Sequence, residues 1–139
     1  SEEVHIVCML PGRTFKNDTI PQPLSDEEKA EKEKIMASAL KEACQVPLAI
    51  MEKGAEILDI VEILSVKGSV MAVSDAGVAA QFTRTAVLGA SMNVYINTKT
   101  MKDRTLAEEY NEKADRLNAY TSEKADEIFK KIEEALKCR

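Results

Sequence analysis

The sequence predicts an all-α fold: a bundle of long antiparallel helices around a buried central helix, completed by dimerisation. Three observations predict it. Gly and Pro number only 5 and 4 among 139 residues, too few turn formers for a sandwich or barrel. Apolar residues recur by threes and fours over long stretches, the period of a helix with one buried face. The segment SDAGVAAQFTRTAVLGASMNVYIN, Ser74 to Asn97, reads as a helix without a polar face, carrying only Asp75 and Arg84 as charges.

The elements follow in order. Residues 1–24 form an irregular N-terminal segment, broken by Pro11–Gly12 and held open by Pro21 and Pro23. Residues 25–139 form the helical domain. Ser25 is placed to cap the first helix, with Glu28 as its reciprocal partner and Asp26 and Glu27 in the first turn. That helix runs from about residue 26 towards Ser65. Ile35, Met36, Ala39, Leu40 and Ala43 mark its buried side, followed by Leu48, Met51, Ala55, Leu58, Val61 and Ile63. Pro47 removes a backbone donor and should kink it near Cys44–Val46. Gly68 lies where it should stop.

The second helix is the unbroken apolar stretch, with Ser74 as its expected cap. Gly77 and Gly89 each cost about 1 kcal/mol against Ala inside a helix, so each suggests a close approach of backbone or ligand. The third helix follows TMKDRT, capped by Asp103 or by Thr105 with Glu108. Leu106, Tyr110, Ala114, Leu117, Thr121, Ala125, Ile128, Ile132 and Ala135 form its apolar stripe. Its remaining faces mix both charges and read as solvated surface.

A helix that is apolar all round must be covered on every side. Two amphipathic neighbours cover only part of it. The sequence therefore implies an oligomer, most simply a homodimer with the second helix near a two-fold axis.

Composition narrows the function. The formal net charge is -5 and no long basic run occurs, which argues against nucleic acid. No apolar run approaches the ~20 residues of a membrane span, and Thr83, Arg84, Thr85 and Asn93 make the second helix too polar to face lipid. Cys8, Cys44 and Cys138 are widely spaced, and His5 is the sole histidine; neither metal-ligand spacing nor a disulfide framework is present. The reading is a reduced, cytoplasmic protein. His5 reads as incidental rather than as a general base.

The stretch SVMAVSDAGVAAQFTRTAVLGASMNVYINTKTMKD resembles the signature region of the formiminotetrahydrofolate cyclodeaminase / methenyltetrahydrofolate cyclohydrolase family. The matching elements are AVSDAGVAA, the GA continuation, and NVYIN followed by KD. Upstream, LKEACQVPLAIMEKG is similar to the family segment ending in VPL. The resemblance covers about four-fifths of the chain, from near Leu24 onward. Members usually carry a further N-terminal portion with a Gly-rich segment of PGGGS type, which is absent from these residues.

The resemblance implies a tetrahydrofolate derivative as substrate, with no separate cofactor or metal. In the deaminase reaction a folate amine attacks the formimino carbon and ammonia leaves; in the cyclohydrolase reaction water opens the methenyl bridge. Both require proton transfer at a carbon flanked by nitrogens. Asp75 is the first candidate for that work; otherwise it simply complements the helix dipole. Asn93 and Asn97, one turn apart, are candidates to bond the pterin or the one-carbon unit; otherwise they serve helix contacts. Arg84 is a candidate to hold a carboxylate, or makes an interface ion pair. Lys99, Lys102 and Asp103 follow the second helix in a loop and are candidates to meet the anionic folate tail; otherwise they belong to a plain surface loop. The alternative function is a non-catalytic or truncated helical subunit that binds folate or a partner without turnover. A plain oligomerisation domain would bind no folate at all.

Overall fold

The computed structural model describes residues 25–138. The expectations for residues 1–24, including those for His5 and Cys8, lie outside the described residues. The described chain is all α: α1 spans Asp26–Lys67, α2 Val73–Thr100 and α3 Arg104–Lys137, with a short 3-10 turn, Val70–Ala72, before α2.

The start of α1 is set as the sequence predicts. The Ser25 hydroxyl accepts from the Glu28 amide at 3.2 Å, and the Glu28 carboxylate accepts from the Ser25 amide at 2.8 Å. The helix continues unbroken through Pro47 and ends at Gly68, whose amide donates to the Leu64 carbonyl. Its 42 residues span about 63 Å.

α2 returns along α1, and α3 packs across both. Near one end, Cys44, Leu48 and Met51 meet Val87, Ala90 and Val94 of α2, with Met101, Ala107 and Ala114 closing the cluster. Near the other, Leu58 and Val61 meet Ala76 and Ala80, with Ala125, Ile128 and Ile132 from α3. Alanines line α2 and α3 where they cross, so the helix axes approach closely.

Polar groups hold the sides of this core. Tyr95 donates to Asp115 at 2.5 Å and accepts from Asn118 at 3.2 Å, while the Thr98 hydroxyl donates to Asn111 at 2.6 Å. Burial, and then the adjacent Asp115 carboxylate, raise the Tyr95 phenol above its usual range. On the α1–α3 side, Lys124 donates to Asp59 at 2.5 Å and pairs with Glu62 at 2.9 Å, and Tyr120 donates to the same Asp59 oxygen.

Several expectations are corrected. Ser74 does not cap α2; it lies inside the helix, because the 3-10 turn precedes it and takes Ser69 as its cap, accepting from the Met71 amide at 3.4 Å. Asp103, not Thr105, caps α3, accepting from the Leu106 amide at 3.0 Å. Ile35, Met36, Ala39 and Ala43 are exposed, as is Ile63; the buried stripe of α1 begins at Cys44, with Leu40 half-buried beside it. On α3 the fully buried line is Ala107, Ala114, Thr121, Ala125, Ile128 and Ile132, while Leu106, Tyr110 and Leu117 are half-buried and Ala135 is exposed.

Within the chain, neither glycine of α2 makes a close approach. A Cβ on Gly77 would sit 3.4 Å from Ile132, an ordinary contact, and one on Gly89 would meet nothing within 4 Å. Two positions leave no room for a Cβ: Gly68, where it would lie 2.4 Å from the Leu64 carbonyl oxygen, and Gly54. A Cβ there would lie 2.2 Å from a Val87 methyl, so α1 and α2 touch through this residue.

Candidate functional site

The sequence-derived site residues fall into three places. Asn93, Asn97, Lys99, Lys102 and Asp103 gather at the C-terminal end of α2. Asp75 lies at the opposite end, 18 residues from Asn93 in one continuous helix and therefore about 27 Å away. Arg84 lies between them and faces α3.

The C-terminal end of α2 is firmly built. Met101 is buried, and its amide donates to the Thr98 carbonyl at 3.2 Å. Arg104 reaches back to donate to the Thr98 carbonyl at 2.9 Å and to that of Met101 at 3.3 Å. Carbonyls left open by the helix end are thereby satisfied. The Asp103 carboxylate is engaged in capping α3, so it is a positioning group for this turn rather than a free ligand.

On α2 itself, Asn97 donates to the Asn93 carbonyl at 2.7 Å, and Asn93 donates to the Gly89 carbonyl at 3.5 Å. Both amides fold back along their own helix, which fixes their direction before any ligand arrives.

Beside this end lies the start of α1. A cleft of about 300 Å³ opens there, lined by Lys29, Lys32, Glu33, Met36 and Lys102. Lys102 pairs with Glu33, and Lys29 with Asp26 at 3.1 Å. Three lysines against Glu33 and the adjacent Asp26 leave a small excess of positive charge at the cleft wall of an acidic chain. Sequence reasoning missed Lys29, Lys32 and Glu33 because KAEKEK reads as a solvated face. Only the return of α2 brings Lys102 to it.

The other two places differ. Asp75 is exposed in the first turn of α2, where its charge favours the helix dipole. Arg84 pairs with Asp126 of α3 at 3.2 Å, and its Nε is buried without a partner among the described residues. That is the ion-pair reading of Arg84, made within one chain. No helix among the described residues is long and apolar enough to cross a membrane.

The comparisons with known proteins bear on the same residues. The profile of a family described as formiminotransferase-cyclodeaminase matches residues 19–116, which include Asp75, the Asn93–Asp103 end and the whole cleft wall. A methenyltetrahydrofolate cyclohydrolase of Methylorubrum extorquens is 42% identical over 85 residues, covering 61% of this chain and 41% of the relative. The aligned part thus spans about two-fifths of that relative's length. With most of its length under the family profile, the chain belongs to the formiminotransferase-cyclodeaminase family.

Proposed function

We propose that this chain acts in one-carbon folate metabolism as an enzyme of the cytoplasm. It hydrolyses methenyltetrahydrofolate, or cyclises formiminotetrahydrofolate to methenyltetrahydrofolate with release of ammonia. The observation that carries the reading is the family match across residues 19–116. The cyclohydrolase relative supports the hydrolytic branch. No further cofactor is assigned. The working form is a homodimer, which completes the antiparallel bundle.

Roles follow from charge and position. The lysine-lined cleft, with Lys99 and Lys102, takes the anionic glutamate end of the folate. Asn93 and Asn97 offer polar contacts to the part of the substrate nearer α2. Asp75 is the proton carrier. In hydrolysis a carboxylate accepts a proton from the attacking water, the water oxygen bonds the methenyl carbon, and one carbon–nitrogen bond opens as that nitrogen is protonated. In cyclisation the departing amine receives the proton instead.

A second reading is favoured by one observation: within a single chain Asp75 and Asn93 are about 27 Å apart, too far to serve one reacting carbon. Here the chain is a helical subunit that binds folate without turnover. Variant kinetics separate the two. The enzyme reading expects Asp75→Asn to lower kcat about 100-fold or more with little change in KM. It expects Lys102→Glu to raise KM about tenfold with kcat retained. Folate binding that survives Asp75→Asn, with no turnover in the unmodified chain, would decide for the binding subunit.

A further inference from the structure

The seam between α2 and α3 is lined largely by small side chains. Ala107, Ala114 and Ala125 of α3 are fully buried, as is Ala80 of α2. Alanines let the helices approach, but they distinguish one register from the next only weakly. Polar pairs across the seam make that distinction. Thr98 donates to Asn111 at 2.6 Å, Tyr95 donates to Asp115 at 2.5 Å and accepts from Asn118 at 3.2 Å, and Arg84 pairs with Asp126 at 3.2 Å. These pairs join the two helices level by level. Between Tyr95 and Arg84, about 16 Å of α2 carries no direct side-chain hydrogen bond to α3 among the described residues.

That stretch holds a group of buried polar atoms. One turn along the seam from the Tyr95–Asn118 bond lie Ser91 on α2 and Thr121 on α3, both fully buried. Thr121 Oγ1 and Asn118 Oδ1 are buried and have no protein partner among the described residues. Ser91 gives its hydroxyl hydrogen to the Leu88 carbonyl at 2.8 Å, which leaves lone pairs on its oxygen free to accept. Arg84, which carries a third such atom at Nε, lies two turns before Ser91 and belongs to the Asp126 pair.

We propose that one water molecule is held between Ser91, Asn118 and Thr121 as a further rung of this ladder. Donors and acceptors balance around it. Asn118 donates to Tyr95 through its nitrogen, so its oxygen is the atom left to accept. Thr121 has one hydrogen to give. The water accepts from Thr121 and donates to Asn118 and to Ser91, three bonds in all, as internal waters usually make. An apolar occupant would leave the Asn118 and Thr121 oxygens desolvated and unbonded. An unpaired ion is a poor occupant, since the three groups that would hold it are neutral.

The inference stands apart from the proposed function, but it bears on the same helix. Asn93 and Asn97 ride on these turns of α2. Rungs at Ser91, Tyr95 and Thr98 fix the rotation of the helix that aims both amides.

A high-resolution crystal structure of the full chain, with Thr121→Val and Thr121→Ser beside it, tests the site. Val replaces the hydroxyl by a methyl of similar size, and Ser keeps the hydroxyl. The expected result is a water peak within hydrogen-bond distance of Thr121 Oγ1 and Asn118 Oδ1, kept in the Ser variant and lost or displaced in the Val variant. At one fixed concentration, Thr121→Val is also expected to melt roughly 3–5 °C below the unmodified chain, because it removes one bond and strands the other partners. No water peak, with the Thr121 hydroxyl turned to the Leu117 carbonyl or the Asn118 amide reversed to meet Thr121 directly, would overturn the proposal. So would a side chain from residues 1–24 in that place. A Val variant that melts above the unmodified chain would overturn it as well, since a buried hydroxyl without a partner is better replaced by a methyl.

Discussion

Replacing Gly54 by alanine should destabilise the chain even though alanine is the better helix former. Gly→Ala inside a helix gains about 1 kcal/mol. Against that, the new methyl would lie 2.2 Å from a Val87 methyl that is itself fully buried. Val87 cannot turn into solvent, so α1 and α2 must part or Val87 must leave its rotamer. Overpacking of this kind costs about 1–3 kcal/mol, so the net loss is up to about 2 kcal/mol. Val87→Ala alone should cost about 2 kcal/mol or more through lost burial and a small cavity. In the double variant the methyl added at position 54 occupies the space Val87 gives up; the next neighbours, Thr83 and the Cβ at position 87, stand at 3.7 Å. The double variant should therefore be about 1 kcal/mol or more better than the sum of the singles. Urea unfolding followed by circular dichroism, at one fixed protein concentration, measures all four proteins. A stabilising Gly54→Ala, or strict additivity in the double variant, would refute the close approach of α1 and α2.

The cap and the charged cluster give two further expectations. Ser25→Ala should cost about 1 kcal/mol by opening the reciprocal pair with Glu28, seen as a lower urea midpoint. Stability should also depend on pH through Asp59 and Lys124. The Lys124 ammonium, and then the Tyr120 hydroxyl, hold Asp59 below its usual range, so its contribution is present above about pH 4 and is lost as pH falls through the lowered value. Asp59, and then Tyr120, hold Lys124 above the usual lysine range, so its contribution is full below about pH 10 and is lost as pH rises through the raised value. Melting temperatures across this range should show a neutral plateau with falling limbs, and Lys124→Met should shrink both.

Much of the fold is legible in the sequence for local reasons. The Ser25–Glu28 pair, the stop at Gly68 and the Asp103 cap depend on neighbours three or four residues away, and such signals survive whatever the chain packs against. What misleads is a helix with two apolar stripes. On α1 the line Met36–Ala43–Ile50–Ile57 and the line Cys44–Leu48–Met51–Leu58 have the same period, and periodicity alone cannot say which faces α2. The glycines divide in the same way. Gly77 and Gly89 stand out in an alanine-rich helix, yet Gly54, set among charged residues, makes the close contact. The site is partly legible: Asn93, Asn97, Lys99 and Lys102 are adjacent because one helix and one turn carry them. Lys29, Lys32 and Glu33 join them only through the return of α2 along α1. The separation of Asp75 follows from α2 being one unbroken helix. The Tyr95–Asp115–Asn118 and Lys124–Asp59 contacts join residues 20 or more apart, which no local pattern announces.

The central claim is folate turnover. The most direct measurement is near-ultraviolet absorbance of the full chain mixed with methenyltetrahydrofolate, and separately with formiminotetrahydrofolate. The account predicts enzyme-dependent loss of the methenyl band in the first case, or its appearance in the second, at a rate proportional to chain concentration above the dimer dissociation constant. Rates equal to the uncatalysed reaction in both mixtures, with the dimer present, would contradict it and leave the chain as a folate-binding or structural subunit.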